Sequence, residues 1–138
     1  MALSIGPRLE AFFAQPLMAT VCTLNRRGAP EMTPIWYEYA DGCIWFNGTA
    51  TRQWLSRMES SGRATFFLLD RDNNWQWAQV WGRVVEAADD PGAAYFKRLG
   101  QRYGRSIGQA QDRRYLKLEI TSVKGRAGTP NEAWDVQA

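Results

Sequence analysis

Histidine is absent from this chain of 138 residues, and cysteine occurs only twice, at Cys22 and Cys43. The first absence excludes Ser-His-Asp and Cys-His nucleophile chemistry, histidine general-base catalysis, and zinc or haem held through imidazole. Two separated cysteines and no paired Asp/Glu motif leave no ligand set, so no metal site is expected. Both cysteines fall in strand-like segments and read as reduced, packed thiols, which fits a cytoplasmic protein. No stretch reaches the roughly 18 apolar residues of a membrane span, so no membrane partner is expected. The opening "MALSIGPRLEAFFAQPLMAT" contains Pro7, Arg8 and Glu10 and no basic start, so it is not expected to be a signal peptide. Blocks of like charge are missing too. The formal charge of +3 is carried by scattered arginines, which favours an anionic small molecule over nucleic acid. An enzyme built from this inventory needs its reactive group brought in as a cofactor, with no catalytic side chain of its own.

What is abundant is aromatic. Seven tryptophans raise the aromatic share to 13%, and such rings collect in cores, interfaces and ligand sites. The length fits a single domain spanning 1–138. There is no internal repeat or low-complexity tract. Glycines at 100, 104 and 108 match neither G-x-G-x-x-G nor a P-loop.

The segment order is strand-rich. "RLEAFFAQ", residues 8–15, reads as a helix between Pro7 and Pro16. "LMATVCTLN", "EMTPIWYEYA" and "CIWFNG" read as three antiparallel strands in a meander, with turns at Gly28 and Gly42. "TATRQWLSRMESSG" reads as a helix capped by Thr49 or Thr51, with Trp54, Leu55 and Met58 inward and Gly62 at its end. "ATFFLLD" and "WQWAQVWGRVVEAA" are strands, the second bent or bulged at Gly82. "DDPGAAYFKRLGQRYG" is a third helix, "RRYLKLEITSVKGRAG" the last strand, and "TPNEAWDVQA" a tail. About six strands with turn-length links and three short helices predict a mainly β fold, an antiparallel barrel in preference to a sandwich.

Three stretches carry possible chemistry. In "FNGTATRQW", Asn47, Thr49, Thr51, Arg52 and Gln53 combine hydroxyls, an amide and a guanidinium with the N–H groups of a helix start. That is a seat for phosphate or polycarboxylate, although a capped helix with a solvated arginine fits the same letters. In "EMTPIW", Pro34 removes one ladder donor, so this strand belongs at an edge, leaving backbone groups near Thr33 and Ile35 for a ligand. In "NNWQWAQVWGRVVE", Trp75, Trp77, Gln79 and Trp81 fall on every second position and share one face. A planar aromatic ligand or a dimer partner explains that row better than core filling, since each buried indole N–H needs an acceptor. Trp36, Trp45 and Trp54 fit ordinary packing.

The runs "ATVCTLNRRGAPEMTPIWYEYADGCIWFNG", "TRQWLSRMESSGRATFFLLDRDNNWQWAQVWGRVVE" and "YFKRLGQRYG" resemble the pyridoxamine-5′-phosphate-oxidase-like superfamily. Within it, the chain is most similar to the flavin/deazaflavin oxidoreductases, over roughly residues 10–125. The resemblance implies a six-stranded, Greek-key split β-barrel with peripheral helices, and a homodimer with two sites at the subunit interface. It implies FMN or coenzyme F-420 as the cofactor. The ring would lie on the backbone near Met32, Thr33, Pro34 and Ile35, and the phosphate at Asn47–Gln53 with Arg52 as cation. Trp75, Trp77 and Gln79 would close the site from the partner chain. Relatives carry patterns such as R-x-K-x-R-N-L in this turn, whereas this chain reads "TATRQWL", leaving Arg52 as its one cation there. The implied activity is hydride transfer to an unsaturated or conjugated organic molecule. A flavin or tetrapyrrole carrier without turnover is the alternative. A single-strand nucleic-acid binder lacks both an RNP-like motif and a basic stripe.

Overall fold

The computed structural model describes residues 3–137. Among the described residues nine strands and three α-helices follow one another as β1 (Ser4–Ile5), α1 (Pro7–Phe13), β2 (Ala19–Leu24), β3 (Pro30–Ile35), β4 (Tyr37–Ala40), β5 (Cys43–Thr49) and α2 (Gln53–Ser61). Then come β6 (Arg63–Leu69), β7 (Gln76–Asp89), α3 (Ala94–Tyr103), β8 (Arg113–Ala127) and β9 (Val136–Gln137). A single 3-10 turn at Pro91–Ala93 leads into α3.

Seven strands form one antiparallel sheet in the order β3-β2-β6-β7-β8-β5-β4, and β1 pairs separately with β9. The expected six-stranded barrel is therefore an open seven-stranded sheet. The difference arises at Trp36. Residues 31–40 read as one strand, but β3 bonds to β2 and β4 bonds to β5, at opposite ends of the sheet. The expected meander is thus broken at its middle strand. Because one residue joins the two end strands, Ile35 and Tyr37 lie within about 7 Å of each other. The sheet must curl until its two end strands come close there, although no ladder joins them.

Alternation along β2, β6 and β7 sets the core. Val21, Phe66, Leu68, Ala78 and Val80 point inward and are fully covered, together with Leu9, Phe12 and Phe13 of α1 and Leu55 and Met58 of α2. Gly62 ends α2 with φ 73°, a left-handed conformation that costs glycine little. The pairing of β7 with β8 shifts register between Trp81 and Gly82, so the bulge falls at the glycine. The segment read as a tail is tied down. Trp134 stacks on Phe12 at 5.0 Å and its indole N–H donates to the Trp77 carbonyl at 2.8 Å. Both cysteines are free. No helix among the described residues is long and apolar enough to cross a membrane.

Candidate functional site

A cleft of about 850 Å³ opens between β3, the end of β5, the start of α2 and α3. Thr33, Pro34 and Ile35 form its strand wall, and Asn47, Thr49, Thr51, Arg52 and Gln53 form its turn wall. The two stretches singled out in the sequence therefore meet across one space, although they belong to strands at opposite halves of the sheet. β3 is an end strand, as Pro34 required, so its outer edge has no ladder partner among the described residues. Met32 points to the other face and is 71% exposed.

The turn differs in detail from expectation. Neither threonine caps α2: Arg52 occupies the N-cap position and no side chain caps the N–H groups of the first turn. The Thr49 and Thr51 hydroxyls lie 3.4 Å from each other instead. Without a side-chain cap, the first N–H groups of α2 remain for water or a ligand. Gly48 is required here, because a Cβ at this position would come within 2.7 Å of the Trp54 ring.

Three guanidinium groups line the cleft, where the sequence reading had one. Arg57, one turn into α2, is neutralised: it donates to Glu31 Oε1 at 2.8 Å, Gln53 Oε1 at 3.1 Å and Thr23 Oγ1 at 3.3 Å. Hydrogen bonds from Arg57, then from Asn25, hold the Glu31 carboxyl below its ordinary range. Arg113, the first residue of β8, donates through Nε to Asn47 Oδ1 at 2.9 Å and lies 3.4 Å from the centre of the Phe96 ring. Burial pulls its guanidinium below the usual value, the Asp90 carboxylate opposes that shift, and the charge on Arg52 adds to it. Asn47 Nδ2 in turn donates to buried Asp90 at 2.9 Å, and Asp90 accepts the N–H groups of Tyr95 and Phe96 at 3.1 Å each. Arg113 was invisible locally because β5–β8 pairing, which sets Thr49 opposite Arg113, brings it to the turn.

Trp36 also lines the cleft, stacked on Tyr103 at 4.9 Å and 6.3 Å from Phe96. Ordinary packing was expected of it and of Trp54; Trp54 is buried in the core as expected, and both also line the cleft. The tryptophan row is elsewhere. Trp75 lies in the turn before β7 and is 52% exposed, not on the strand as expected. Trp77 and Gln79 sit on the sheet face opposite the core, and none of the three lines the cleft of its own chain.

The model of the pyridoxamine 5′-phosphate oxidase family matches residues 5–127. The chain belongs to this family. Among solved structures, the fold of this pyridoxamine 5′-phosphate oxidase family member is similar to an F420 reductase, with TM-score 0.76 and 22% identity over 83% of this chain and 94% of that one. It is also similar to a conserved hypothetical protein from Mycobacterium tuberculosis, with TM-score 0.66 and 21% identity over 97% of this chain and 87% of the other. A heme storage protein from Vibrio cholerae, HutZ, gives TM-score 0.66 at 10% identity over 88% of this chain and 94% of that one. No curated protein sequence matches. The donor set of this family member's cleft suits a phosphorylated planar ring: guanidinium, hydroxyl and uncapped N–H groups for an anion, beside an unpaired strand edge and aromatic walls.

Proposed function

We propose that this chain is a two-electron oxidoreductase that holds coenzyme F-420 in the cleft, with FMN as the alternative occupant. The observation that carries the reading is the conjunction, in one space, of three guanidinium groups with the open edge of β3 and the apolar wall of Ile35, Trp36 and Phe96. When bound, either ring supplies two-electron hydride chemistry toward an unsaturated or conjugated organic acceptor. The residues of the chain bind and orient. Arg52 and the α2 N–H groups take the anionic tail, the β3 edge addresses the polar rim of the ring, and Trp36, Phe96 and Leu99 exclude water. Among the described residues, Glu31 is the one carboxylate in the cleft wall, and Arg57 keeps it ionised, so it offers no proton near neutrality.

The active form in this reading is a homodimer. On the face opposite the core, Pro34, Thr20, Phe67, Gln79 and Lys124 lie across five neighbouring strands in one row. Met32, Cys22, Thr65, Trp81 and Ser122 form the next row. Exposed Met32, Phe67, Leu69 and Trp75 give this face an apolar part among its polar residues, and Met18 and Pro34 connect it to the cleft. A second copy covering it would bring Trp75, Trp77 and Gln79 towards a partner's cleft.

Quenching of tryptophan fluorescence by FMN and by F-420 tests the proposal, with micromolar binding of one of them expected. Binding of neither ends it. Mass spectrometry of the ligand that copurifies from a host making both cofactors decides between them. Reduction and reoxidation of the bound ring with a panel of acceptors separates an enzyme from a carrier. A haem-storage reading, prompted by the HutZ fold, has no histidine in this chain to ligate the iron.

A further inference from the structure

We propose that Arg113, contributed by the last long strand, is the second anion-binding side chain of the cleft and works with Arg52 to hold the phosphate of the bound ligand. The inference rests on the cleft being a cofactor site, and adds a residue that lies far in sequence from the turn expected to hold the phosphate. Three observations carry it. First, Arg113 is half-buried, yet Nε–H to Asn47 is the one hydrogen bond its side chain makes to protein among the described residues. Among the described residues its η nitrogens have no protein acceptor and no buried side-chain polar atom is left unpaired, so these nitrogens are accessible, and Arg113 lines the cleft. A half-buried guanidinium without a carboxylate in contact is costly unless an anion completes it.

Second, its plane is fixed before any ligand arrives. Phe96 packs against one face at 3.4 Å, and Asn47 is itself held by Asp90 at 2.9 Å. Asp90 is already occupied by Asn47 and the N–H groups of Tyr95 and Phe96. A pre-set planar fork is the geometry that recognises phosphate with little loss of entropy.

Third, the other cations differ. Arg57 is saturated by Glu31, Gln53 and Thr23. Arg52 makes no ion pair or side-chain hydrogen bond among the described residues and lines the same cleft as Arg113. Two guanidinium groups without an ion pair among the described residues, facing one space, repel each other until an anion sits between them.

The test compares each phosphorylated cofactor with its phosphate-free ring alcohol: FMN with riboflavin, and F-420 with its deazariboflavin core. Binding is read by tryptophan quenching in wild type, R113Q and R113K, with far-UV circular dichroism and thermal unfolding confirming the fold of each. Wild type should prefer the phosphorylated form. R113Q should lose about ten- to hundredfold of that preference, while binding of the ring alcohol stays unchanged. R113K, which keeps the charge and loses the fork, should fall between. A merely structural Arg113 would weaken both ligands equally, and that result overturns the inference. So does a wild type with no preference for phosphate, which also covers the case in which the variants do not fold. Inorganic phosphate, followed by phosphorus NMR line broadening, separates the two proposals. Arg113-dependent phosphate binding without binding of either cofactor sinks the proposed function and leaves the anion seat standing. FMN or F-420 binding indifferent to R113Q does the reverse. No binding of phosphate or of either cofactor overturns both.

Discussion

Strands β2, β6 and β7 carry two faces of one sheet, and what covers each face differs. Inward, Ala19, Val21, Phe66, Leu68, Ala78 and Val80 are each no more than 1% exposed. Outward, the alternate positions hold Cys22, Phe67, Leu69, Trp77 and Trp81 among Thr20, Thr65 and Gln79, half-buried or exposed, so rings and aliphatic chains are interleaved with the polar residues of this face. One face is closed by the chain's own helices. The other has an apolar load that its own chain leaves uncovered, which is the mark of a surface built for contact.

The largest expected effect separates the two faces at adjacent residues. Phe66→Ala should destabilise the fold by about 3–5 kcal/mol in urea unfolding, because it empties a site packed edge-on against Phe46 at 5.2 Å. Phe67→Ala should cost less than about 1 kcal/mol when measured dilute enough to keep the chain monomeric. Equal losses would mean that the faces are not distinct.

The next test concerns the outer face alone. Replacing Met32 and Phe67 together with arginine should weaken self-association at least about a hundredfold, roughly 2.7 kcal/mol, followed by sedimentation velocity. A wild type that stays monomeric throughout the accessible concentration range removes the reading of this face as a dimer surface. A smaller contrast lies within the cleft. Arg52→Gln removes an unpaired cation, so unfolding free energy should stay within about 0.5 kcal/mol while affinity for the phosphorylated cofactor falls about tenfold. Arg57→Gln should instead lower stability, since it releases three protein partners. Identical behaviour of the two variants would erase the distinction between a free and a neutralised guanidinium.

Features set by local chemistry were legible in the sequence. Period-two alternation put Trp77, Gln79 and Trp81 on one face of β7, Gly62 marked the end of α2, and Pro34 an edge strand. The turn at Asn47–Gln53 and the β3 wall at Thr33–Ile35 were both marked, and both line the cleft. What escaped notice depends on long-range pairing. Nothing in "PIWYEYA" shows that Trp36 changes sheet ends, because Ile35 and Tyr37 each continue a regular strand pattern with a different neighbour. Arg113 and Asp90 reach Asn47 through strand registers far from it in sequence. Thr49 and Thr51 failed as caps because the chain enters α2 one residue later than their spacing suggested, with Arg52 at the N-cap.

The smallest expected effect is the pH dependence of the neutralised pair. Hydrogen bonds from Arg57 hold Glu31 below its ordinary value of 4.5, as those from Arg114 hold Glu59. A folded-state value below the unfolded one means that the native chain binds fewer protons as acid is added. The contribution is therefore complete above pH 4.5 and fades as pH falls through the lowered folded values. Glu31 is solvent-exposed, so salt should shrink its share further. Thermal unfolding from about pH 6 to about pH 3 should show wild type and E31Q converging as acid protonates the carboxylate that the variant lacks. Curves that stay parallel through that range would show that Glu31 does not neutralise Arg57, and Arg57 would then join Arg52 and Arg113 as a free cation of the cleft.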